Sequence, residues 1–214
     1  MRRELAGEAA EAAKVAADSA GAFLAREAEE HRAALEALLD GLRQPFCAVL
    51  ASWECCIRQG GKLLLFGNGG SAGNAQHIAA ELAIRYQSDR AAIAALALTV
   101  DASTVTAAAN DLGFEAVYAR QVEALGRPGD VAVGISSSGR SANVLAALRV
   151  ARARQLRTCG LIGGDGGAMR PLCDESIVVP SRNTARIQEM HLLVSHMLCK
   201  ALEARLGLTA GVLP

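Results

Sequence analysis

The sequence predicts one α/β domain in which a parallel sheet is covered by helices on both faces. Three observations carry this. From Gly60-Gly61 onward, five short apolar runs alternate with amphipathic stretches of helical length, the pattern of strand–helix–strand units. The runs are apolar throughout rather than at every second residue, as strands buried on two faces are. And 214 residues, 51% of them hydrophobic, suffice for a single sizeable core.

Residues 1 to about 58 are rich in Ala, Glu, Arg and Leu and read as helical, a segment packing on the α/β core of residues 60–206 within one domain spanning 1–214. Gly41 with Pro45 marks a break between "FLAREAEEHRAALEALLD" and "FCAVLASWECCIRQ", since proline lacks the N–H and crowds the preceding turn. Residues 1–20 are compositionally simple and are expected to fray. The expected strands are "KLLLF" (62–66), "AAIAALAL" (91–98), "DVAVGI" (130–135), "RTCGLIG" (157–163) and "SIVVP" (176–180). Helical patterns lie near 71–86, 103–109, 114–125, 141–154 and 184–206. Sheets of this kind bind ligands at their carboxyl edge, where strand ends meet helix starts.

Composition excludes several classes. Basic and acidic residues balance at 22 each, so no general electrostatic attraction to nucleic acid or an acidic membrane is expected. No apolar run approaches the roughly 20 residues that span a bilayer. The start, "MRRELAGEAAEAAKVAAD", has no apolar core of a secretory signal. The chain therefore reads as cytoplasmic, with no membrane and no nucleic-acid partner. Cys47, Cys55, Cys56, Cys159, Cys173 and Cys199 are scattered and form no C-x-x-C pair. Reduced and partly buried thiols are expected, with Cys55 and Cys56 on different sides of a helix.

Two loops are suited to an anion. Gly67-Asn68-Gly69-Gly70-Ser71 follows the first strand, and Ser136-Ser137-Ser138-Gly139-Arg140-Ser141 follows the third. Glycines let the backbone approach closely, and helix starts offer free N–H groups and a positive dipole end. Neither loop is a nucleotide P-loop, and the first lacks the third glycine of a dinucleotide fingerprint. Glycine and serine also make ordinary strand-to-helix turns, but serines clustered after a buried strand point to a sugar phosphate.

His77 and Glu81 stand i, i+4 on the helix leaving the first loop and share one face. Gln188, His191 and His196 lie on the last helix. Taken singly, a histidine such as His31 or His191 is more often a surface or core residue than a ligand. Gln188 and His196 are eight residues apart, a rise of about 12 Å and a rotation of roughly 80°. To reach one site together, either the helix bends or two copies of it contribute, which points to an oligomer with sites at or near an interface.

Together, "GNGGSAGNAQHIAAELAIRY", "AAANDLGFEAVYARQVEALGRPGD", "GISSSGRSANV" and "TARIQEMHLLVSH" resemble the phosphoheptose isomerases of the sugar isomerase (SIS) superfamily, from about residue 25 onward. The serine loop alone would indicate only some sugar-phosphate-binding SIS domain. The resemblance implies a flavodoxin-like three-layer fold with a five-stranded parallel sheet and additional N-terminal helices. It implies a homotetramer with sites at subunit interfaces, one zinc per subunit, and conversion of D-sedoheptulose 7-phosphate to D-glycero-D-manno-heptose 7-phosphate. Carried over by position, Asn68, Gly69, Gly70, Ser71 and Gln188 contact substrate, Asn110 and Asp111 hold sugar hydroxyls, and Ser136, Ser137, Ser138 and Ser141 cradle the phosphate. His77, Glu81, Gln188 and His196 match the zinc ligands, and Glu81 and His196 the acid–base pair.

Some positions depart from the family. Asn74 replaces a common acidic residue, Arg140 a frequent asparagine and Ser137 the usual threonine, and about fifteen N-terminal residues have no counterpart. Two other readings stay open: a non-catalytic SIS protein that associates with the bacterial replication initiator, and an SIS isomerase of another phosphosugar. The first group lacks equivalents of Glu81 and His196, and this chain has both. Aldose–ketose isomerisation moves a proton between C1 and C2 through an enediol, which needs a base (Glu81) and an acid near the oxygens (His196).

Overall fold

In a computed structural model, the backbone is described for residues 2–209 and the side chains for residues 18–209. Of the segment 1–20 expected to fray, the side chains of 1–17 lie outside the described residues. Five strands form one sheet: β1 Leu63–Gly67, β2 Ala95–Ala97, β3 Val131–Ser136, β4 Arg157–Gly163 and β5 Glu175–Val179. Every neighbouring pair is parallel, in the order β2-β1-β3-β4-β5. This is the flavodoxin-like doubly wound order. The helices are α1 Arg2–Arg58, α2 Gly70–Ala83, α3 Ala102–Leu112, α4 Ala116–Leu125, α5 Ala142–Ala153 and α6 Thr184–Arg205.

Alternation along the strands builds the three layers. Leu63 and Leu65 of β1, with Val131 and Val133 of β3, face Trp53 of α1, Ile78 and Leu82 of α2, and Val194 and Leu198 of α6. Leu64 and Phe66 face the opposite way, onto Val117 and Val122 of α4 and Val144 and Leu148 of α5. Both faces are covered, so the apolar runs of the strands continue through neighbouring positions instead of alternating, and each fully buried large side chain contributes roughly 1.5–3 kcal/mol.

The break expected at Gly41 and Pro45 is corrected by the structure: α1 is one helix with Pro45 inside it. The buried stripe Ala34, Leu38, Leu42, Val49, Trp53, with Phe46 partly buried beside it, keeps one helical phase through the proline. Contact with the sheet thus offsets the roughly 3 kcal/mol that an interior proline costs. Two further boundaries move. The helix expected to reach residue 86 ends at Ala83, and the strand expected over 91–98 is only Ala95–Ala97.

The strand order reverses between β1 and β3, so the loops leaving them lie side by side. Gly67 pairs with Ile135, and a Cβ on Gly67 would stand 2.6 Å from the Ile135 carbonyl oxygen. Only glycine allows this approach.

Candidate active site

The two loops meet at this switch point. Asn68 and Asn143, the latter at the start of α5, exchange side-chain amide hydrogen bonds in both directions at 2.8 Å. The Tyr118 hydroxyl on α4 donates to the Gly67 carbonyl, and burial pushes that phenol's pKa up. Gly69 has φ 55°, and neither the α2 nor the α5 N-cap residue makes a side-chain cap bond, although Asn143 Oδ1 accepts the Val144 N–H in the first turn of α5. By contrast, Asp101 caps α3 and Asn183 caps α6. The α2 and α5 starts beside the loops therefore lack the N-cap side-chain bonds that α3 and α6 have, which leaves N–H groups at their positive ends for a ligand.

In the second loop three hydroxyls converge. Ser136 Oγ lies 3.2 Å from Ser141 Oγ and 3.5 Å from Ser138 Oγ, while accepting the Gly139 N–H at 3.1 Å. Ser137 instead lines a cleft of about 620 Å³ shared with Ser138, Arg140, Asp165, Arg182 and Thr184. Arg140 Nη2 donates to Asp165 at 2.9 Å, which holds that carboxyl below its ordinary pKa and raises the guanidinium's. A slightly larger cleft, about 690 Å³, lies at the amino ends of β3, β4 and β5 beside Cys55 and Cys56. That is the edge where doubly wound sheets do not place their ligands.

Behind the first loop, α2 and α6 run side by side and bring the titratable groups together. His77 Nε2 stands 2.7 Å from His196 Nε2, a hydrogen bond in which one ring donates and the other accepts. His77 Nε2 lies 3.3 Å from Glu81 Oε1. One donor atom from each of His77, Glu81 and His196 lies within 4.8 Å of the others. The Tyr86 ring covers His196, with centroids 5.4 Å apart. Two imidazole nitrogens and a carboxylate oxygen are a donor set that zinc accepts, with tetrahedral donors about 3.3 Å apart at ordinary zinc–nitrogen lengths. The 2.7 Å histidine pair would open by about half an ångström to admit an ion of that geometry.

Gln188 is elsewhere in the same chain. Its side-chain oxygen would lie 2.3 Å from a Cβ on Gly70, and its carbonyl accepts from Asn74 Nδ2 at 3.2 Å. It thus sits at the start of α2, two turns and about 10 Å along that helix from His77. Asn110 and Asp111 are exposed at the end of α3 and bonded to each other at 2.8 Å. No hydrogen bond or ion pair among the described residues joins them to the loops. His31 Nδ1 pairs with Glu189 at 2.7 Å, and His191 is fully buried. Sequence reasoning passed over Tyr118, Asn143 and Tyr86. Asn143 stood in the serine-loop motif as its one amide, and the two tyrosines carried no local signal.

The family model for the SIS domain matches residues 28–163, which sets the class: a sugar isomerase domain. A phosphoheptose isomerase of Paramagnetospirillum magneticum is 53% identical over 182 residues, covering 85% of this chain and 95% of that protein. A phosphoheptose isomerase of Helicobacter pylori is 47% identical, covering 85% and 94%. Among solved structures, phosphoheptose isomerase from Neisseria gonorrhoeae superimposes with a TM-score of 0.80 at 40% identity, over 85% of this chain and 97% of that one. The one from Francisella tularensis gives 0.79 at 34% identity, over 85% and 96%. The chain belongs to the phosphoheptose isomerase family, whose members are aldose–ketose isomerases.

Proposed function

We propose that the chain converts D-sedoheptulose 7-phosphate to D-glycero-D-manno-heptose 7-phosphate through an enediol, with Glu81 as base and His196 as acid. The observation that carries this reading is the meeting of Glu81 and His196, from two different helices, in one cluster behind the glycine loop. A carboxylate removes the C1 proton and returns it to C2, while the imidazole serves the two oxygens. Ser136, Ser137, Ser138 and Ser141 seat the phosphate, and Asn68, Gly69, Gly70, Ser71 and Gln188 hold the open-chain sugar. Asn110 and Asp111 take its hydroxyls. Binding at the phosphate, remote from the reacting carbons, orients them for proton transfer.

His77, Glu81 and His196 would hold a zinc ion, joined by Gln188. Such an ion supplies Lewis-acid polarisation of the carbonyl, or pins these side chains together. Gln188 lies at the Gly70 end of its own α2, so its partnership in that set is best met from a second copy. This supports sites at subunit interfaces, in the homotetramer that the family resemblance implies. No helix among the described residues is long and apolar enough to cross a membrane, which accords with a cytoplasmic enzyme acting on a soluble sugar phosphate.

The test is incubation with sedoheptulose 7-phosphate, followed by NMR for the aldose, using native enzyme and folded Glu81→Ala. Turnover by the native enzyme and none by the variant supports the reading. Substantial residual turnover removes Glu81 from the base role. Turnover only of a different ketose phosphate would assign the other substrate class, which Arg140 beside the serine loop makes worth including.

A further inference from the structure

Resting on the reading of Glu81 and His196 as the acid–base pair, we propose that Arg90 and Glu203 form a buried clamp that sets the geometry between them. They are positioning residues: neither faces the substrate loops. Arg90 lies in the segment between α2 and β2, and the Arg90 and Glu203 side chains are 1% and 2% exposed.

The guanidinium is directed at two elements at once. Its Nη2 donates to the Glu81 carbonyl at 2.7 Å, and Nη1 donates to the carbonyls of Leu82 at 2.7 Å and Ala91 at 3.0 Å. Carbonyls in the last turn of a helix have no partner within it, and α2 has no basic residue of its own in that turn. Arg90 supplies donors there, sharing the Leu82 carbonyl with the Ile93 N–H and reaching the backbone of the residue that carries the base. Its remaining edge, Nε, donates to Glu203 Oε1 at 2.7 Å on α6.

Glu203 follows His196 by seven residues, which places both on one face of α6 about 10 Å apart. The same Glu203 oxygen accepts the Tyr86 N–H at 3.3 Å, and the Tyr86 ring lies against His196. One rigid, planar cation is therefore bonded both to the peptide of Glu81 and to the helix of His196. Lysine, with a single ammonium, cannot span those acceptors in the same way. Because misplacement of a catalytic group by about 1 Å can cost on the order of 100-fold in rate, the clamp bears on turnover, while the substrate loops are held by other contacts.

The experiment uses the full chain with Arg90→Lys, Arg90→Ala and Glu203→Gln, beside native enzyme and Glu81→Ala. The expected result is a fall in kcat of roughly 30- to 100-fold, with KM within about threefold for any folded variant. Guanidinium ion at tens of millimolar restores part of the kcat of Arg90→Ala and has no such effect on Arg90→Lys. A second readout needs no turnover and no metal. Histidine ring NMR of chelator-treated protein should show the His77–His196 hydrogen bond in the native chain and its loss in Arg90→Lys.

Folded Arg90→Lys and Glu203→Gln with native kcat and an unchanged histidine pair would overturn the clamp. So would a loss expressed only in KM. If Arg90→Ala does not fold, the other two variants decide. An inactive Glu81→Ala beside a fully active Arg90→Lys refutes the clamp and leaves the base assignment standing. An active Glu81→Ala refutes the base assignment and the clamp's catalytic role with it.

Discussion

His191 sits in the middle of α6 with no exposed surface, and neither ring nitrogen has a hydrogen-bond partner of good geometry among the described residues. Burial pushes its pKa down to about 4, with a backbone contact to Ile162 acting weakly the other way. The unfolded chain takes up the proton near the ordinary value of 6.5. Between those two values the unfolded state holds more protons, so acid favours unfolding. The stabilisation is fully present above pH 6.5, falls as the pH drops through that window, and is gone below about 4. At 1.36 kcal/mol per unit, the interval is worth about 3 kcal/mol, a large share of the 5–15 kcal/mol typical of a domain. The assay is urea unfolding from neutral pH to about pH 4, at fixed protein concentration with chelator present, for native chain and His191→Leu. Carboxylates and the other histidines titrate alike in both. The difference between the two proteins should therefore shift by about 3 kcal/mol in favour of the variant on acidification. Parallel curves across the window would refute the reasoning.

Gly139 has φ +63°, and a Cβ there would stand 2.3 Å from the Gly166 carbonyl oxygen. Gly139→Ala should therefore displace the serine loop and raise KM for the sugar phosphate by at least about tenfold, with strain of roughly 1–3 kcal/mol; an unchanged KM would move the phosphate seat elsewhere. Cys47 and Cys55 are exposed. Burial raises the Cys56 thiol to about 11, those of Cys173 and Cys199 to about 12, and that of Cys159 well above its ordinary value. A thiol reagent at about pH 8 should label Cys47 and Cys55 quickly and the other four only after denaturation, since the thiolate is the reactive form. Adding zinc to chelator-treated protein should raise its Tm, and His77→Ala should remove that rise; the same shift in both proteins would place the ion elsewhere.

The sheet was legible because burial on two faces leaves a continuous apolar run. β4 lies at 157–163, as the pattern predicts, and β1, β3 and β5 within one residue of it. The segment 84–94 was not. Its alanines and Ile93 read as strand, but the Ile93 N–H donates to the Leu82 carbonyl and Arg90 turns inward to α6, arrangements fixed by distant partners. Pro45 misled for the opposite reason: a local breaker was outweighed by the stripe from Ala34 to Trp53. At the site, i, i+4 spacing puts His77 and Glu81 on one face. The approach of His196 depends on how α2 packs against α6, which no local pattern encodes. The eight-residue spacing separates Gln188 from His196 by about 12 Å, and Gln188 rests on Gly70 while His196 meets His77.

The most direct test of the account is isomerisation of sedoheptulose 7-phosphate in deuterium oxide, reading the label at C2 of the aldose, for native enzyme and folded Glu81→Gln. Proton transfer by Glu81 predicts deuterium at C2 in the native product and loss of both turnover and C1 exchange, by about 100-fold or more, in the variant. Product formed without solvent deuterium, together with near-native turnover by Glu81→Gln, would contradict it.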